Sequence, residues 1–276
     1  MEEHSAIPFE LHMAEGRTIR GDIYRAKNEP SKGTLLLLHG YKGFKNWGMF
    51  PYVATELAEV VDVVALNFSH NGVGENLMEF TELDKFARAT YSRDLEDIEA
   101  VIHEIHNDVT KDKPILLLGH SRGAGVSLIY ALDHPGEIAG VISWNGIANV
   151  DLLTADNKAE MRATSRSYAM NGRTKQMMPL DLEILEDMER NQERFDFIGR
   201  ISGATFPITL VQGTEDSERG IRGSEKLVAN NAAIEWVKIP EGNHTFGSVH
   251  PFQGVTKPLE LAIEETRRTI RSMLNL

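Results

Sequence analysis

The sequence predicts an α/β protein whose central sheet is mainly parallel and has helices on both faces. Six short apolar runs recur along the chain, and amphipathic segments lie between them. Apolar runs without polar alternation are typical of strands buried on both faces, as in parallel sheets. The alternation of strands and helices is typical of α/β folds. With 276 residues, 41% of them hydrophobic, we expect one domain over residues 1–276.

The six apolar runs are the predicted strands. They comprise residues 34–38, 60–68, 114–119, 139–144, 207–212 and 234–239. Ahead of them, the segment FELHMAEGRTIRGDIYR predicts an antiparallel pair that turns at Glu15 and Gly16. We expect this pair to form one edge of the sheet.

Two segments show clear helical periodicity. Leu95, Ile98, Ile102 and Ile105 recur at helical spacing, with acidic residues on the other side of the predicted helix. The last segment of the chain has the same pattern behind Pro258, a residue type that suits the first turn of a helix. Both segments predict helices that pack against the sheet.

Residues 147–206 interrupt the alternation. Acidic helical sequence such as LDLEILEDMERNQERF dominates, and no run in this stretch predicts a strand. Sixty residues are too many for a plain loop in a compact domain. We therefore expect a helical lid, inserted in the domain and lying over one end of the sheet.

Charge and composition exclude several classes of partner and chemistry. The net charge is -12, which disfavours binding to nucleic acid or to anionic membrane surfaces. The absence of cysteine excludes disulfides, thiolate metal sites and cysteine nucleophiles. The N-terminus lacks a secretory signal, and no stretch approaches the roughly 20 apolar residues that span a bilayer. A cytoplasmic protein acting on small molecules is expected, and the oligomeric state cannot be predicted.

A candidate nucleophile lies in the sequence GHSRG. The predicted strand at 114–119 runs directly into this sequence, and a predicted helix at 124–132 follows it. The flanking glycines let the two backbones pass closely, while Ser121 is held on a strained turn at the carboxyl end of the sheet. G-x-S-x-G alone is weak evidence, but a strand before it and a helix after it are the context in which the motif presents a nucleophile.

A serine nucleophile needs a base, and the sequence offers three histidines. His244 lies in GNHTF, directly after the last predicted strand, and is the preferred base. His250 is the rival, six residues further on. His120 neighbours Ser121, but on so tight a turn we expect its side chain to point elsewhere and to be packed.

The base in turn needs an acid to orient it. Asp216 lies in GTED after the strand at 207–212, at the same edge of the sheet, and is the preferred residue. Glu215 beside it and Asp151 after the preceding strand are the alternatives.

Acyl transfer also needs backbone donors for the negative charge that develops on the carbonyl oxygen. The amide of Arg122, directly after the nucleophile, is one candidate, and the amide of Tyr41 in the loop HGYKGF is the other. The Arg122 side chain is interpreted with equal weight as a contact for an acidic substrate or as a surface ion pair. Four aromatic residues are candidates for the pocket or, equally, for the core, namely Phe44, Trp47, Trp144 and Phe246.

Together, HGYKG, GHSRGA, GTED and GNHTF resemble the α/β-hydrolase family over about residues 34–250. Within it, the chain is most similar to small cytoplasmic esterases and to the serine aminopeptidase-like and dienelactone hydrolase-like groups, which resemble feruloyl and cinnamoyl esterases. The resemblance implies a two-step acyl-enzyme mechanism without metal or organic cofactor. It also implies that residues 147–206 are the lid that shapes the acyl pocket.

Two differences from related families narrow the range of predicted activities. Dienelactone hydrolases carry a cysteine nucleophile, and haloalkane dehalogenases and epoxide hydrolases carry an aspartate at the position of Ser121, so these activities are disfavoured. The leading hypothesis is a serine hydrolase of small to medium carboxylic esters. The alternatives are a peptidase or amidase, in which Glu183, Glu186 or Asp187 would hold a substrate amine, and a non-catalytic binding protein.

Overall fold

A computed structural model describes residues 6–27, 30–105 and 113–276. Its strands are β1 (Ile7–His12), β2 (Thr18–Tyr24), β3 (Thr34–Leu38), β4 (Asp62–Asn67), β5 (Ile115–His120), β6 (Ile138–Trp144), β7 (Arg166–Met170), β8 (Met177–Asp181), β9 (Ile208–Gly213) and β10 (Glu235–Ile239). Its α-helices are α1 (Phe50–Leu57), α2 (Leu83–Phe86), α3 (Tyr91–Ile105), α4 (Arg122–Asp133), α5 (Ala155–Thr164), α6 (Leu182–Arg190), α7 (Gln192–Phe195), α8 (Phe197–Arg200), α9 (Glu218–Asn230) and α10 (Lys257–Leu274).

In the described part of the chain, eight strands form the central sheet in the order β1-β2-β4-β3-β5-β6-β9-β10. Strands β4, β3, β5, β6, β9 and β10 run parallel to one another. The β1–β2 pair adds to one edge, with β2 antiparallel to both its neighbours. Each predicted apolar run overlaps a strand to within two residues at either end, and the predicted edge pair is present. The α/β prediction with a mainly parallel sheet is therefore confirmed.

Each face of the sheet carries its own apolar core, because successive side chains of a strand point to opposite faces. Leu36 and Leu38 of β3 belong to the core under α3 and α4. Leu35 and Leu37 belong to the other core, under α1 and α10. Fully burying a leucine contributes about 1.5–3 kcal/mol, so both layers of helices are held firmly against the strands.

The two predicted helices are α3 and α10. The periodic residues of α3 face the sheet, and the helix begins at Tyr91, ahead of the first periodic leucine. At the start of α10, Thr256 accepts a hydrogen bond from the Leu259 amide, with Pro258 in the first turn. Within the described residues, no helix combines the length and the apolar character needed to cross a lipid bilayer.

The segment between β6 and β9 contains the helices α5 to α8, as predicted, together with irregular stretches. The expectation that it lacks strands is wrong, because β7 and β8 pair as an antiparallel hairpin. The side chain of Asn171 accepts hydrogen bonds from the amides of Arg173 and Thr174, which fixes the turn of the hairpin. Strand β7 escaped prediction because one of its faces is largely exposed and its apolar residues are not continuous. Strand β8 escaped prediction because Pro179 interrupts its short apolar run.

Candidate active site

Ser121 lies on a sharp turn between β5 and α4, with φ 54° and ψ -116°. Positive φ is strained for a residue with a side chain, at a cost of about 1–3 kcal/mol. A Cβ on Gly119 would lie 2.3 Å from the Ala124 nitrogen, and one on Gly123 would lie 2.3 Å from the Leu38 oxygen. The glycines thus permit the backbone contacts that the sequence analysis expected.

Three side chains from distant loops form a continuous hydrogen-bonded chain. The Oγ of Ser121 lies 3.0 Å from Nε2 of His244. The Nδ1 of His244 lies 2.7 Å from Oδ1 of Asp216. Since the carboxylate accepts from Nδ1, Nε2 is left to accept the serine proton. The side chain of His244 is 48% exposed, whereas that of Asp216 is fully buried.

The carboxylate of Asp216 is held on both oxygens. Gln212 donates from Nε2 to Oδ2 at 2.6 Å, and the Ser217 amide donates to Oδ1 at 2.7 Å. Gln212 in turn accepts a hydrogen bond from the Ser224 hydroxyl. These contacts fix the plane of the carboxylate that faces His244.

Asn145 ties the acid loop to the histidine loop, and the sequence analysis missed it. Its Nδ2 donates to the carbonyl oxygens of Asn243 and His244 at 3.1 and 3.0 Å. Its Oδ1 accepts from the Gly213 amide at 2.8 Å. The signal available in the sequence was a polar residue directly after the buried strand β6, at the edge that holds the other site residues.

Neither rival histidine makes a hydrogen bond with Ser121. His120 is buried and donates from Nε2 to the His244 carbonyl at 2.8 Å, and burial lowers its pKa to about 3. His250 accepts from the Gly48 amide at 2.8 Å, with its ring stacked on Trp47. The packed position expected for His120 is observed.

The rival acids lie apart from His244. Glu215 is exposed. The carboxylate of Asp151 accepts from the Lys158 ammonium and from the Leu153 amide. Of the three acids considered from the sequence, Asp216 is the one that contacts the imidazole of His244.

The loop after β3 lies against the nucleophile turn. A Cβ on Gly40 would lie 3.0 Å from the Cβ of Ser121, so Tyr41 follows a residue in close contact with the serine. His39 holds this loop by donating from Nδ1 to the Gly40 carbonyl at 2.9 Å and accepting from the Phe68 amide. Burial lowers the pKa of His39 to about 4, which keeps the ring neutral in this role.

The other candidate donor is the amide of Arg122. Arg122 is the first residue of α4, and the first amides of a helix have no acceptor within it. Arg122 directly follows Ser121, and Tyr41 directly follows Gly40. The roles of their two amides as oxyanion donors stay predictions.

The side chain of Arg122 fits neither earlier interpretation, because it is buried. Its Nε and Nη2 donate to Oδ2 of Asp94 at 2.9 and 2.7 Å. Nη2 also donates to the Ala89 carbonyl at 3.0 Å, and the guanidinium lies 4.0 Å from the ring centre of Tyr91. The Arg122 side chain therefore forms a buried ion pair with Asp94. It is neither a surface ion pair nor an unpaired cation that would bind an acidic substrate.

Three of the four aromatic candidates belong to the core. Phe44, Trp144 and Phe246 are fully buried in the two apolar clusters. Trp47 is partly buried and packs against both of these clusters.

A narrow apolar pocket adjoins the candidate oxyanion donors. Its walls include Tyr41, Tyr91 and Arg122 on the sheet side, and Val150 and Met188 from the 147–206 segment. Its free volume is about 20 Å³. A larger cavity of about 370 Å³ lies within the 147–206 segment, and Val150 and Met188 are also part of its wall. No residue of the Ser121–His244–Asp216 chain lines either space, and the narrow pocket meets the site through Tyr41 and Arg122.

No group of three or more histidine, aspartate or glutamate side chains in the described ranges is arranged to hold a metal ion. The chemistry available at the site is that of a hydroxyl, an imidazole and a carboxylate in series, at the carboxyl edge of a parallel sheet.

A doubly covered α/β sheet that brings serine, histidine and aspartate together at this edge defines a class of hydrolase-like proteins. The family model described as the alpha/beta hydrolase fold matches residues 33–171. The chain belongs to this family.

Among proteins of known function, a peptidase is similar to this chain in sequence. Proline iminopeptidase of Thermoplasma volcanium is 31% identical over 142 residues, which are 51% of this chain and 43% of that protein. The match thus spans less than half of that relative's length.

Solved structures extend the likeness in fold to nearly the whole chain. Est1E from Butyrivibrio proteoclasticus superposes with a TM-score of 0.70 at 18% identity, covering 98% of this chain and 99% of that one. The monoacylglycerol lipase of Paleococcus ferrophilus gives 0.66 at 16% identity, covering 92% and 99%. At these identities the likeness concerns the fold.

Proposed function

We propose that the chain is a serine hydrolase that cleaves small to medium carboxylic esters through an acyl-enzyme intermediate. The observation that carries the proposal is the chain from Ser121 Oγ to His244 at 3.0 Å and on to Asp216 at 2.7 Å. The family assignment supports hydrolysis, and esterases are among the solved structures with this fold, such as an esterase domain from Rhodothermus marinus.

Each residue has one task in the proposed mechanism. The Oγ of Ser121 attacks the ester carbonyl while Nε2 of His244 takes its proton, a step worth about 10²–10⁴-fold in rate. The amides of Tyr41 and Arg122 donate to the oxygen that becomes negative, each contributing about 10²–10³-fold. His244 then gives the proton to the leaving alcohol, and water releases the acid by the reverse sequence. Asp216 stabilises the imidazolium and does not become protonated.

The test compares the wild type with Ser121→Ala on p-nitrophenyl acetate and butyrate. We expect kcat/KM to fall by roughly 10³–10⁶-fold, because the nucleophile is lost. Ser127→Ala is the matched control, since this buried serine lies in α4, just after the turn of Ser121, and only bonds the Gly123 carbonyl. Equal rates for wild type and Ser121→Ala would contradict the proposal. A fluorophosphonate probe that fails to label Ser121 would favour a non-catalytic binding protein instead.

A second candidate function is an aminopeptidase, favoured by the match to proline iminopeptidase. The acidic residues considered for an amine site have other partners or lie at the surface. Glu183 pairs with Arg88 and Arg93, Asp187 accepts from Ser92, and Glu186 is exposed. We therefore rank it second. Higher kcat/KM on aminoacyl p-nitroanilides, proline included, than on p-nitrophenyl butyrate would reverse that order.

We also propose that residues 147–206 act as a lid within a single domain. Two contacts support this role. Val150 and Met188 of this segment wall the pocket beside the oxyanion donors. The ammonium of Lys42, on the loop of Tyr41, donates to the Met170 carbonyl of the hairpin at 2.9 Å. The cytoplasmic location and the lack of nucleic acid and membrane partners stay predictions from composition and charge.

A further inference from the structure

We propose that Tyr91 selects substrates whose acyl chain carries a hydrogen-bond-accepting oxygen, such as an ether or ketone oxygen. The proposal rests on the proposed esterase function and names its substrate class. It starts from one observation, which is that the hydroxyl of Tyr91 is buried without a hydrogen-bond partner among the described residues.

Buried polar atoms without partners are rare, and each calls for an explanation. The described residues hold six such side-chain atoms, and the other five are on Thr34, Asn67, Trp236, Ser248 and Thr269. None of those five residues belongs to the wall of the narrow pocket, whereas Tyr91 does. Tyr91 is 1% exposed, so bulk water does not satisfy its hydroxyl.

The ring of Tyr91 is held in place from two sides. The guanidinium of Arg122 lies 4.0 Å from its centre, and the ring of Phe195 lies at 5.7 Å. Burial raises the pKa of the Tyr91 hydroxyl, an effect that the neighbouring Arg122 only partly opposes. The hydroxyl therefore stays protonated and offers a donor, which calls for an acceptor on the ligand.

The position of the pocket assigns this acceptor to the acyl group. The leaving alcohol must lie at His244 to receive its proton. The pocket wall contains no residue from the Asp216 or His244 loops, but it contains both Tyr41 and Arg122, whose amides are the proposed oxyanion donors. A group in this pocket is therefore on the part of the substrate that stays bonded to Ser121. The rest of the wall is mainly apolar, and the free volume of about 20 Å³ holds a group about the size of one water, such as an ether oxygen.

The experiment uses matched p-nitrophenyl esters in which one CH₂ is replaced by an ether oxygen. The pairs are methoxyacetate with butanoate, 3-methoxypropanoate with pentanoate, and 4-methoxybutanoate with hexanoate. The ratio of kcat/KM within each pair is measured for the wild type and for Tyr91→Phe, which keeps the ring over Arg122. Dividing the two ratios cancels the intrinsic reactivity of the esters.

We expect this double ratio to reach about 3–10 in favour of the oxygen ester for at least one pair, the size of one net hydrogen bond. Tyr130→Phe is the matched control and should give a double ratio near one. Tyr130 is also buried, but its hydroxyl bonds Glu137 at the far end of α4. A double ratio within about twofold of one for every pair, in an active enzyme, overturns the role of Tyr91 alone. A wild type that hydrolyses none of the esters overturns this proposal together with the proposed function.

A second measurement uses the wild type alone, so it does not depend on whether a Tyr91 variant folds. Alkylboronic acids bond reversibly to a serine Oγ, and each is compared with the analogue in which an ether oxygen replaces one CH₂. We expect one ether analogue to inhibit the wild type about 3–10-fold more tightly than its alkyl partner. Equal inhibition by both members of every pair would mean that the Tyr91 hydroxyl makes no hydrogen bond to the inhibitor. That result would overturn the proposal.

Discussion

At the scale of single residues, Asn145 shows how a group that does no chemistry holds a site together. Its amide joins the Gly213 amide on the acid side to the Asn243 and His244 carbonyls on the base side. The His244 carbonyl also accepts from His120. The backbone that carries the imidazole is thus fixed by two buried donors, independently of the bond between His244 and Asp216.

We predict that Asn145→Ala lowers kcat by about 10–100-fold, because a shift near 1 Å in the imidazole costs that much. KM should change little, since Asn145 does not line the pocket beside Arg122. Steady-state kinetics on p-nitrophenyl butyrate measure both parameters. Asn231→Ala is the control, because this residue bonds the Ile201 carbonyl at the end of α9. If both variants lose kcat equally, Asn145 acts on stability and not on positioning.

The sequence predicted the site residues with reactive side chains in known motifs. It did not predict the residues that only position them. Ser121, Asp216 and His244 each follow a strand, so their meeting at one edge was predictable from the strand order. Asn145 follows a strand in the same way, but an amide side chain carries no reactive signature. The burial of Arg122 was also beyond prediction, because it depends on Asp94 arriving from a different helix.

At the scale of elements, two side chains separate the narrow pocket from the larger cavity. Val150 comes from the irregular segment after β6, and Met188 comes from α6. Both residues belong to the walls of both spaces. The length of acyl chain that fits should therefore depend on these two side chains.

We predict that Met188→Ala raises the kcat/KM of decanoate relative to butyrate esters by about 4-fold or more, the gain from burying one further CH₂. Opening the wall would let the chain continue into the space of about 370 Å³. The profile is measured with p-nitrophenyl esters from acetate to dodecanoate. Met178→Ala is the control, because this methionine is buried in β8 and lines neither space. An unchanged profile in Met188→Ala would mean that the two spaces do not communicate.

At the scale of the whole molecule, the parallel sheet was predictable and the hairpin of the insertion was not. Residue runs such as TLLLL are buried on both faces and carry their own signal. In β7 and β8, Tyr168, Met170 and Met177 are exposed, so these strands lack the complete burial of a strand such as β3. Their pairing follows from tertiary contacts of the insertion, which a local pattern does not contain.

The buried histidines make the stability of the fold depend on pH. Burial lowers the pKa of His39 to about 4, and of His70 and His120 to about 3. Below pH 6.5 the unfolded chain binds protons that the folded chain refuses, so stability falls as pH falls towards these values. Burial raises the pKa of Asp97 to about 6, which opposes the trend, because the folded state takes up that proton first.

We predict a net loss in the free energy of unfolding between pH 7.5 and 5.5, with each fully buried histidine contributing at most about 1.4 kcal/mol per pKa unit. Urea titrations at several pH values measure it. His120→Asn should make the dependence shallower, whereas His103→Asn, at an exposed position of α3, should not. A stability that rises towards pH 5.5 would show that Asp97 outweighs the histidines.

Gly123 limits which positions near the nucleophile tolerate substitution, because it has no side chain and lies against the backbone of β3. Any larger residue there would push the first turn of α4 away from the backbone of Leu38, and so would widen the gap between the two halves of the site. Mutational freedom around the nucleophile is therefore close to zero on the sheet side. New preferences, whether they arise in nature or in a library, have to come from pocket residues away from this turn, such as Tyr91, Val150 and Met188.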